Sequence, residues 1–331
     1  MKKTIFAIVV FCILTAAAVL VGTYMFFTAP DTQDDTFLYT IEPGMTLSEI
    51  ANQLERQNVI RNAGFFKMIA RLKGADRGIN AGRYEIEPGK DATEILDILV
   101  SGKITVDRVT IPEGLTIMET ASILNASINI DSTTFVQIAS DTTILKSLGF
   151  ESKTLEGYLF PATYNFYLEM SAQKAVEAMT ERYRSIITED YQTRARELGY
   201  NIHEIITLAS IVEQEAQVSE ERSLIAGVFH NRLNRGMLLE ADPTVQFGIG
   251  KPNMRLYEKH LSHPSPYNTY VHSGLPPGPI CSPGAASIHA ALYPKDVPYY
   301  FFVARGDGSH IFSITNREHN RARALVKRQQ R

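Results

Sequence analysis

The chain has 331 residues, 44% hydrophobic and 21% charged, which is enough apolar material for about two packed domains and excludes a disordered or low-complexity polymer. Its 33 basic and 36 acidic residues give a formal charge of −3 and a pI near 6.3. That balance argues against a general nucleic-acid binder, although the stretch from Arg317 to Arg331 is locally basic.

Lys2 and Lys3 precede an uncharged run from Ile5 to Phe27. As one helix this run is about 35 Å long at ~1.5 Å per residue, against a hydrocarbon core of ~30 Å, so it is expected to be an uncleaved transmembrane anchor over 5–27. The lysines before it and Asp31, Asp34 and Asp35 after it place residues 1–4 in the cytoplasm. Everything beyond a 28–35 linker is then extracytoplasmic or periplasmic, as a single-pass protein of the inner membrane. A cleaved signal peptide is the competing reading, but the apolar run exceeds the usual ~7–15 residues. Cys12 falls inside the run and Cys281 stands alone, so no intramolecular disulfide framework is available to an exported domain.

From Leu38 the sequence reads as strand, Pro-Gly turn and helix, with Thr46 and Glu49 at capping-box spacing. Further helices are expected over Ala63 to Leu72, from about Thr93 and from about Thr116, with a return strand over Ala81 to Ile86. The turns Glu42-Pro43-Gly44, Glu87-Pro88-Gly89 and Pro112-Glu113-Gly114 repeat one strand-turn-helix plan at irregular spacing. The stretch YTIEPGMTLSEIANQL resembles the opening of LysM modules, which implies a small glycan-binding module over 36–104; a generic spacer of strand and capped helix is the alternative. Between Ser132 and Gly199 the pattern is mainly helical. It is interrupted by Leu155 to Tyr164, where Tyr158, Phe160 and Tyr164 are either core residues or flat faces for pyranose rings.

The segment LASIVEQEAQ, residues 208–217, ends an apolar helix with two acids, Glu213 and Glu215. Asn201 and Glu204 have capping-box spacing and Ser219 resembles the cap of the next helix, so the first must stop near Ala216 or Gln217. At ~100° per residue Glu215 extends the stripe of Ile205, Leu208 and Val212, while Glu213 points about 160° away. Aliphatic neighbours, the negative helix end and a second carboxylate all raise a carboxyl pKa, which keeps an acid protonated near neutrality. The competing reading makes both glutamates the exposed end of an amphipathic helix. Beyond Asn231, the segments around Asp242, Tyr267, Gly274 and Gly308 are read as polar loops between short strands. No phosphate-binding loop, HExxH or CxxC pair occurs.

The segments ASIVEQEA, VFHNRLNRGM, DPTVQFG, YNTY, GLPPGPI-SPG and GSHIFS-T-EHN, in this order, resemble the endolytic murein transglycosylases of the MltG (YceG-like) family, with likeness from about Tyr39 to His319. The resemblance implies Glu215 as the catalytic residue. It also implies cleavage of the β-1,4 bond between N-acetylmuramic acid and N-acetylglucosamine within peptidoglycan strands, leaving a 1,6-anhydro end, and a coupling to peptidoglycan synthases. A single glutamate suffices, because the substrate's own C6 hydroxyl is the nucleophile. Glu213 and Asp242 are candidate electrostatic helpers. Asn231, Thr244, Tyr267, Asn268, Thr269 and Tyr270 are candidates for binding acetamido or hydroxyl groups, or turn-stabilising residues. His310 and His319 lack a close-spaced third ligand and read as structural rather than metal-binding, so no metal and no cofactor are expected. The competing functions are a non-catalytic membrane-tethered peptidoglycan-binding scaffold and, third, a metal-dependent hydrolase. The expected fold class is α+β: the anchor, the LysM-like module, a mixed catalytic domain over 105–325 and a basic tail over 326–331.

Overall fold

The structure is a computed structural model that describes residues 10–17, 35–42, 44–75, 78–103, 105–168 and 170–329. It shows a mixed α/β chain dividing into two compact units, Met1–Asp107 with Asn165–Met170, and Arg108–Tyr164 with Ser171–Arg331.

The expected transmembrane anchor is corrected. Within the run over 5–27 the described residues are 10–17, and these are helical. No helix among the described residues is long and apolar enough to cross a membrane. Residues 1–9 and 18–34, with the expected cytoplasmic start and most of the linker, lie outside the described residues. The membrane tether, the single-pass topology and the inner-membrane, periplasmic placement rested on that helix and fall with it.

In the first unit β1 (Phe37–Ile41) pairs antiparallel with β2 (Gly82–Ile86), Tyr39 opposite Tyr84. Period-two alternation sends Tyr39, Ile41, Tyr84 and Ile86 inward. They meet Ile50, Leu54, Phe66, Leu96 and Leu99 from α1 (Leu47–Arg56), α2 (Ala63–Leu72) and α3 (Ala92–Ser101). The repeated Pro-Gly and Glu-Gly turns have a common geometry. Gly44, Gly89 and Gly114 have φ of +87°, +79° and +81°, and capping boxes follow at Thr46/Glu49, Asp91/Glu94 and Thr116/Glu119.

The second unit begins at Arg108 within β3 (Asp107–Ile111), which pairs with β4 (Ala162–Phe166). Helices α4 (Ile117–Ile128), α5 (Ser132–Ile138), α6 (Thr142–Ser147), α7 (Ala172–Ile186) and α8 (Glu189–Glu197) account for the helical stretch. At its centre lies α9 (Ile202–Glu215), whose residues Ile205 to Val212 are all buried. A helix apolar on every side must be enclosed. Around it pack α8, α10 (Arg222–Asn234), α11 (Asp242–Ile249) and α12 (Ala285–Leu292). The hairpin of β5 (Phe301–Ala304) and β6 (His310–Ser313) is backed by α13 (Asn316–Gln329).

Two sequence expectations are revised. Asp242 to Gly248 is helix rather than loop, because Pro243 sits in the first turn, where its missing N–H costs nothing. Ser219 opens a 3-10 turn, Ser219–Glu221, and the following helix starts only at Arg222.

The Gly274 to Ile280 loop is seated on Gly157, which has φ +85° and where a Cβ would stand 2.4 Å from the Pro279 Cβ. Gly157→Ala is therefore expected to destabilise the fold by about 2–3 kcal/mol, combining backbone strain with overpacking, as a lower urea midpoint at unchanged slope. An unchanged midpoint would show that this loop yields freely.

Candidate active site

The C-terminus of α9 opens on a cleft of about 560 Å³ lined by Glu215, Arg232, Asp242, Tyr270, His310 and His319, among others. The capping box at Asn201 and Glu204 fixes the start of the helix, and α9 ends at Glu215 with Ala216 in extended conformation. Glu215 is thus the last helical residue, beside carbonyls that have no intrahelical partner. Part of its side chain borders the cleft, yet dense protein around the carboxyl removes it from water and pushes its pKa up to about 8. The Asp242 carboxylate adds to the rise and the Arg232 guanidinium opposes it.

Arg232 is the cation that organises this wall. Its Nε donates to the Tyr300 carbonyl at 2.6 Å, and one terminal nitrogen donates to the carbonyls of Leu238 (3.0 Å) and Leu239 (2.9 Å) and to Glu240 Oε2 (3.0 Å). Its guanidinium also lies 5.2 Å from the centroid of the Phe301 ring. Glu240 is held at φ +49°, a left-handed conformation uncommon for a non-glycine residue, with its N–H donated to the Thr269 carbonyl. Opposite, Tyr270 donates its hydroxyl to Asp242 Oδ1 at 2.6 Å. Burial first, then the hydrogen bond to Asp242, raise the Tyr270 pKa, so it stays a donor at neutral pH.

Of the residues singled out in the sequence, Glu215, Asp242, Tyr270, His310 and His319 share this cleft. The others support it from behind. Asn231 donates its amide to the carbonyls of Val297 (2.7 Å) and Tyr299 (3.0 Å), holding the segment that enters β5. Thr244 and Thr269 are buried with hydroxyls 2.8 Å apart. Asn268 is buried, bonding the Leu261 and His263 carbonyls and accepting from the Tyr270 N–H. Tyr267 packs against Phe247 with centroids 4.8 Å apart. Tyr158, Phe160 and Tyr164 are 5%, 5% and 9% exposed, and Tyr158 borders a separate cavity with Phe150 and Tyr183.

Glu213 does diverge from Glu215, but into protein rather than toward solvent. Its carboxylate accepts the Gly284 N–H at 2.9 Å, ahead of α12, and lies 3.5 Å from Arg222. Glu113 comes close as well, and burial together with the Glu213 charge raises the Glu113 pKa. Glu213→Gln keeps an acceptor for Gly284 but loses the charge pair. We expect a loss of about 1–2 kcal/mol and less than about ten-fold in turnover at matched folded concentration, read by urea unfolding and initial rates.

Arg232, Glu240 and Glu221 were not anticipated from the sequence. A polar stripe on α13 was detectable: Asn316, His319, Asn320 and Arg323, at i, i+3, i+4 and i+7, all face the cleft. Glu221 contacts His310 across 89 positions, a distance at which no sequence periodicity operates. His319 stacks on Phe301 with centroids 5.4 Å apart, and its Nδ1 is buried without a hydrogen-bond partner among the described residues. Burial first, and then Arg323 and Arg232, lower its pKa and keep the ring neutral. Among the described residues no group of three or more His, Cys, Asp and Glu side chains is arranged to hold a metal ion.

A family model described as the YceG-like family matches residues 39–325. The chain is 34% identical over 299 residues to an endolytic murein transglycosylase of Bacillus subtilis strain 168, covering 86% of this chain and 82% of that protein. It is 29% identical over 309 residues to an endolytic murein transglycosylase of Streptococcus pneumoniae serotype 2, spanning 84% of this chain but 56% of that longer protein. The crystal structure of a YceG-like protein from Listeria monocytogenes is similar at TM-score 0.61 and 31% identity, covering 87% of this chain and 99% of that one. With the family model spanning both units, and with relatives above 30% identity over most of its length, the chain belongs to the YceG-like family of endolytic murein transglycosylases.

Proposed function

We propose that the protein cleaves the β-1,4 bond between N-acetylmuramic acid and N-acetylglucosamine inside peptidoglycan strands and leaves a 1,6-anhydro muramyl end. The observation that carries this reading is the Glu215 carboxyl at the end of α9, bordering a cleft and held protonated near neutrality by its surroundings. Glu215 donates its proton to the leaving glycosidic oxygen as the bond to C1 breaks. The C6 hydroxyl of the same muramyl residue then closes on C1, its tether supplying the proximity that a water molecule lacks. Its proton must be taken by a base in the cleft, and the Glu215 carboxylate formed in the first step is one such group. Hydrolysis would require a second carboxylate as nucleophile or water-activating base. Asp242 carries a tyrosine hydroxyl on one of its oxygens and is cast here as an electrostatic neighbour.

The strand-and-helix unit of β1, β2 and α1 to α3 is proposed to hold glycan in the manner of LysM modules while the cleft cuts. The decisive experiment follows strand length during digestion of intact peptidoglycan by the full chain. An endolytic cut lowers mean strand length early, with few free disaccharides. Steady release of disaccharides from strands of unchanged length would contradict the reading.

A further inference from the structure

His310 occupies the same cleft as Glu215 and is held in one tautomer. Its Nδ1 lies 2.6 Å from Glu221 Oε2, and its backbone N–H donates to Glu221 Oε1 at 3.1 Å, so both oxygens of one carboxylate are fastened to one residue. Opposite a carboxylate oxygen at that distance, Nδ1 must carry the hydrogen, and in the neutral ring Nε2 is then an acceptor. The ring is fixed by Phe302, edge to face at 5.3 Å, and by Phe312 at 6.3 Å. Nothing among the described residues bonds Nε2, and the side chain lines the cleft while being 5% exposed. A carboxylate that orients an imidazole and leaves its far nitrogen open is the arrangement by which proteins hold a base in register.

We propose that the Glu221–His310 pair is the base of the reaction, with His310 Nε2 accepting the hydrogen of the C6 hydroxyl as that oxygen closes the anhydro ring. This rests on the transglycosylase reading of the cleft. The step balances. The C1–O4 bond breaks and O4 takes the Glu215 proton; the C1–O6 bond forms and the O6 proton passes to Nε2. The imidazolium then gives one proton to solvent while the Glu215 carboxylate regains one, restoring both groups.

The alternative is that Glu221 merely pins β6 to the start of α10, and the two readings divide on paired substitutions. His310→Asn keeps a donor where Nδ1 stands, and so keeps the pin, but removes Nε2. His310→Gln places an amide near Nε2 and releases Glu221. Glu221→Gln offers an amide hydrogen to Nδ1, which favours the tautomer with its hydrogen on Nε2 and abolishes the acceptor.

The account expects His310→Asn to lower kcat on peptidoglycan by about 10²-fold with little change in KM or Tm. Glu221→Gln should fall similarly, and the double variant should be no worse than either alone. A His310→Asn enzyme within about three-fold of wild-type kcat would overturn the proposal. Should that variant not fold, Glu221→Gln with normal Tm and near-normal kcat would overturn it equally. Glu215→Gln run alongside separates the two levels. If it is inactive while His310→Asn is normal, only the base assignment fails; if it is fully active, the reading of the cleft fails and the base assignment falls with it.

Discussion

Glu215→Gln is expected to lower anhydro-muropeptide formation by about 10²–10⁴-fold while leaving the fold intact, because glutamine keeps the size and polarity of the side chain but has no carboxyl proton to give. The pH dependence carries a second signature. With its pKa raised to about 8, the wild-type group is the competent acid below that value, so kcat/KM should fall as pH rises through about 8. Stability follows the same linkage. A carboxyl whose folded pKa lies above the model value of 4.5 contributes stability that is fully present below 4.5 and is lost as pH rises through about 8. Removing the group removes that loss. Glu215→Gln should therefore gain Tm relative to wild type between pH 4.5 and 8, and little below pH 4.5. Glu156, also raised to about 8 by burial, contributes with the same sign in both proteins and cancels in the comparison. A variant with near-normal turnover, or a Tm difference independent of pH, would count against the assignment.

Arg232→Met should cost about 3–5 kcal/mol, the largest stability effect expected of any single side chain in the cleft. The arginine is 7% exposed at its side chain and is the shared donor to Leu238, Leu239 and Tyr300, so its loss strands three carbonyls and frees the turn that carries Glu240. Glu240→Gln is the control. Its carboxylate is 45% exposed, so losing that ion pair alone should cost no more than about 1 kcal/mol. Arg232→Lys should fall between, since an ammonium cannot span the separate carbonyls that the guanidinium reaches. Urea unfolding of the three variants settles the order, and an Arg232→Met protein within 1 kcal/mol of wild type would contradict it.

Much of the helical framework was legible because its signals are local. The capping boxes at Thr46 and Asn201 each lie within four residues, and the helix over Ala63 to Leu72 appears where its apolar spacing put it. Helical phase separated Glu213 from Glu215 correctly. It did not reveal their surroundings, because α9 is enclosed on all sides and the polar neighbours of its last turn come from Gly284, Arg222 and Asp242. Asp242 to Gly248 was misread because a proline and a glycine mark turns in most settings, whereas here the proline opens a helix. The expectation for the apolar run over 5–27 rested on hydropathy alone, and no helix among the described residues is long and apolar enough to cross a membrane. The Arg232 hub and the Glu221–His310 pair depend on chain reversals of 68 and 89 positions, which no window of sequence contains.

The central claim is that a carboxyl at the end of α9 drives ring closure by the substrate's own hydroxyl rather than attack by water. Its most direct test is mass spectrometry of intact peptidoglycan digested in heavy-oxygen water by the wild-type chain and by Glu215→Gln at matched folded concentration. The account predicts new muramyl ends that lack one water and carry no heavy oxygen from the wild type, with almost none from the variant. Reducing muramyl ends bearing solvent oxygen, or anhydro ends formed equally by both proteins, would contradict it.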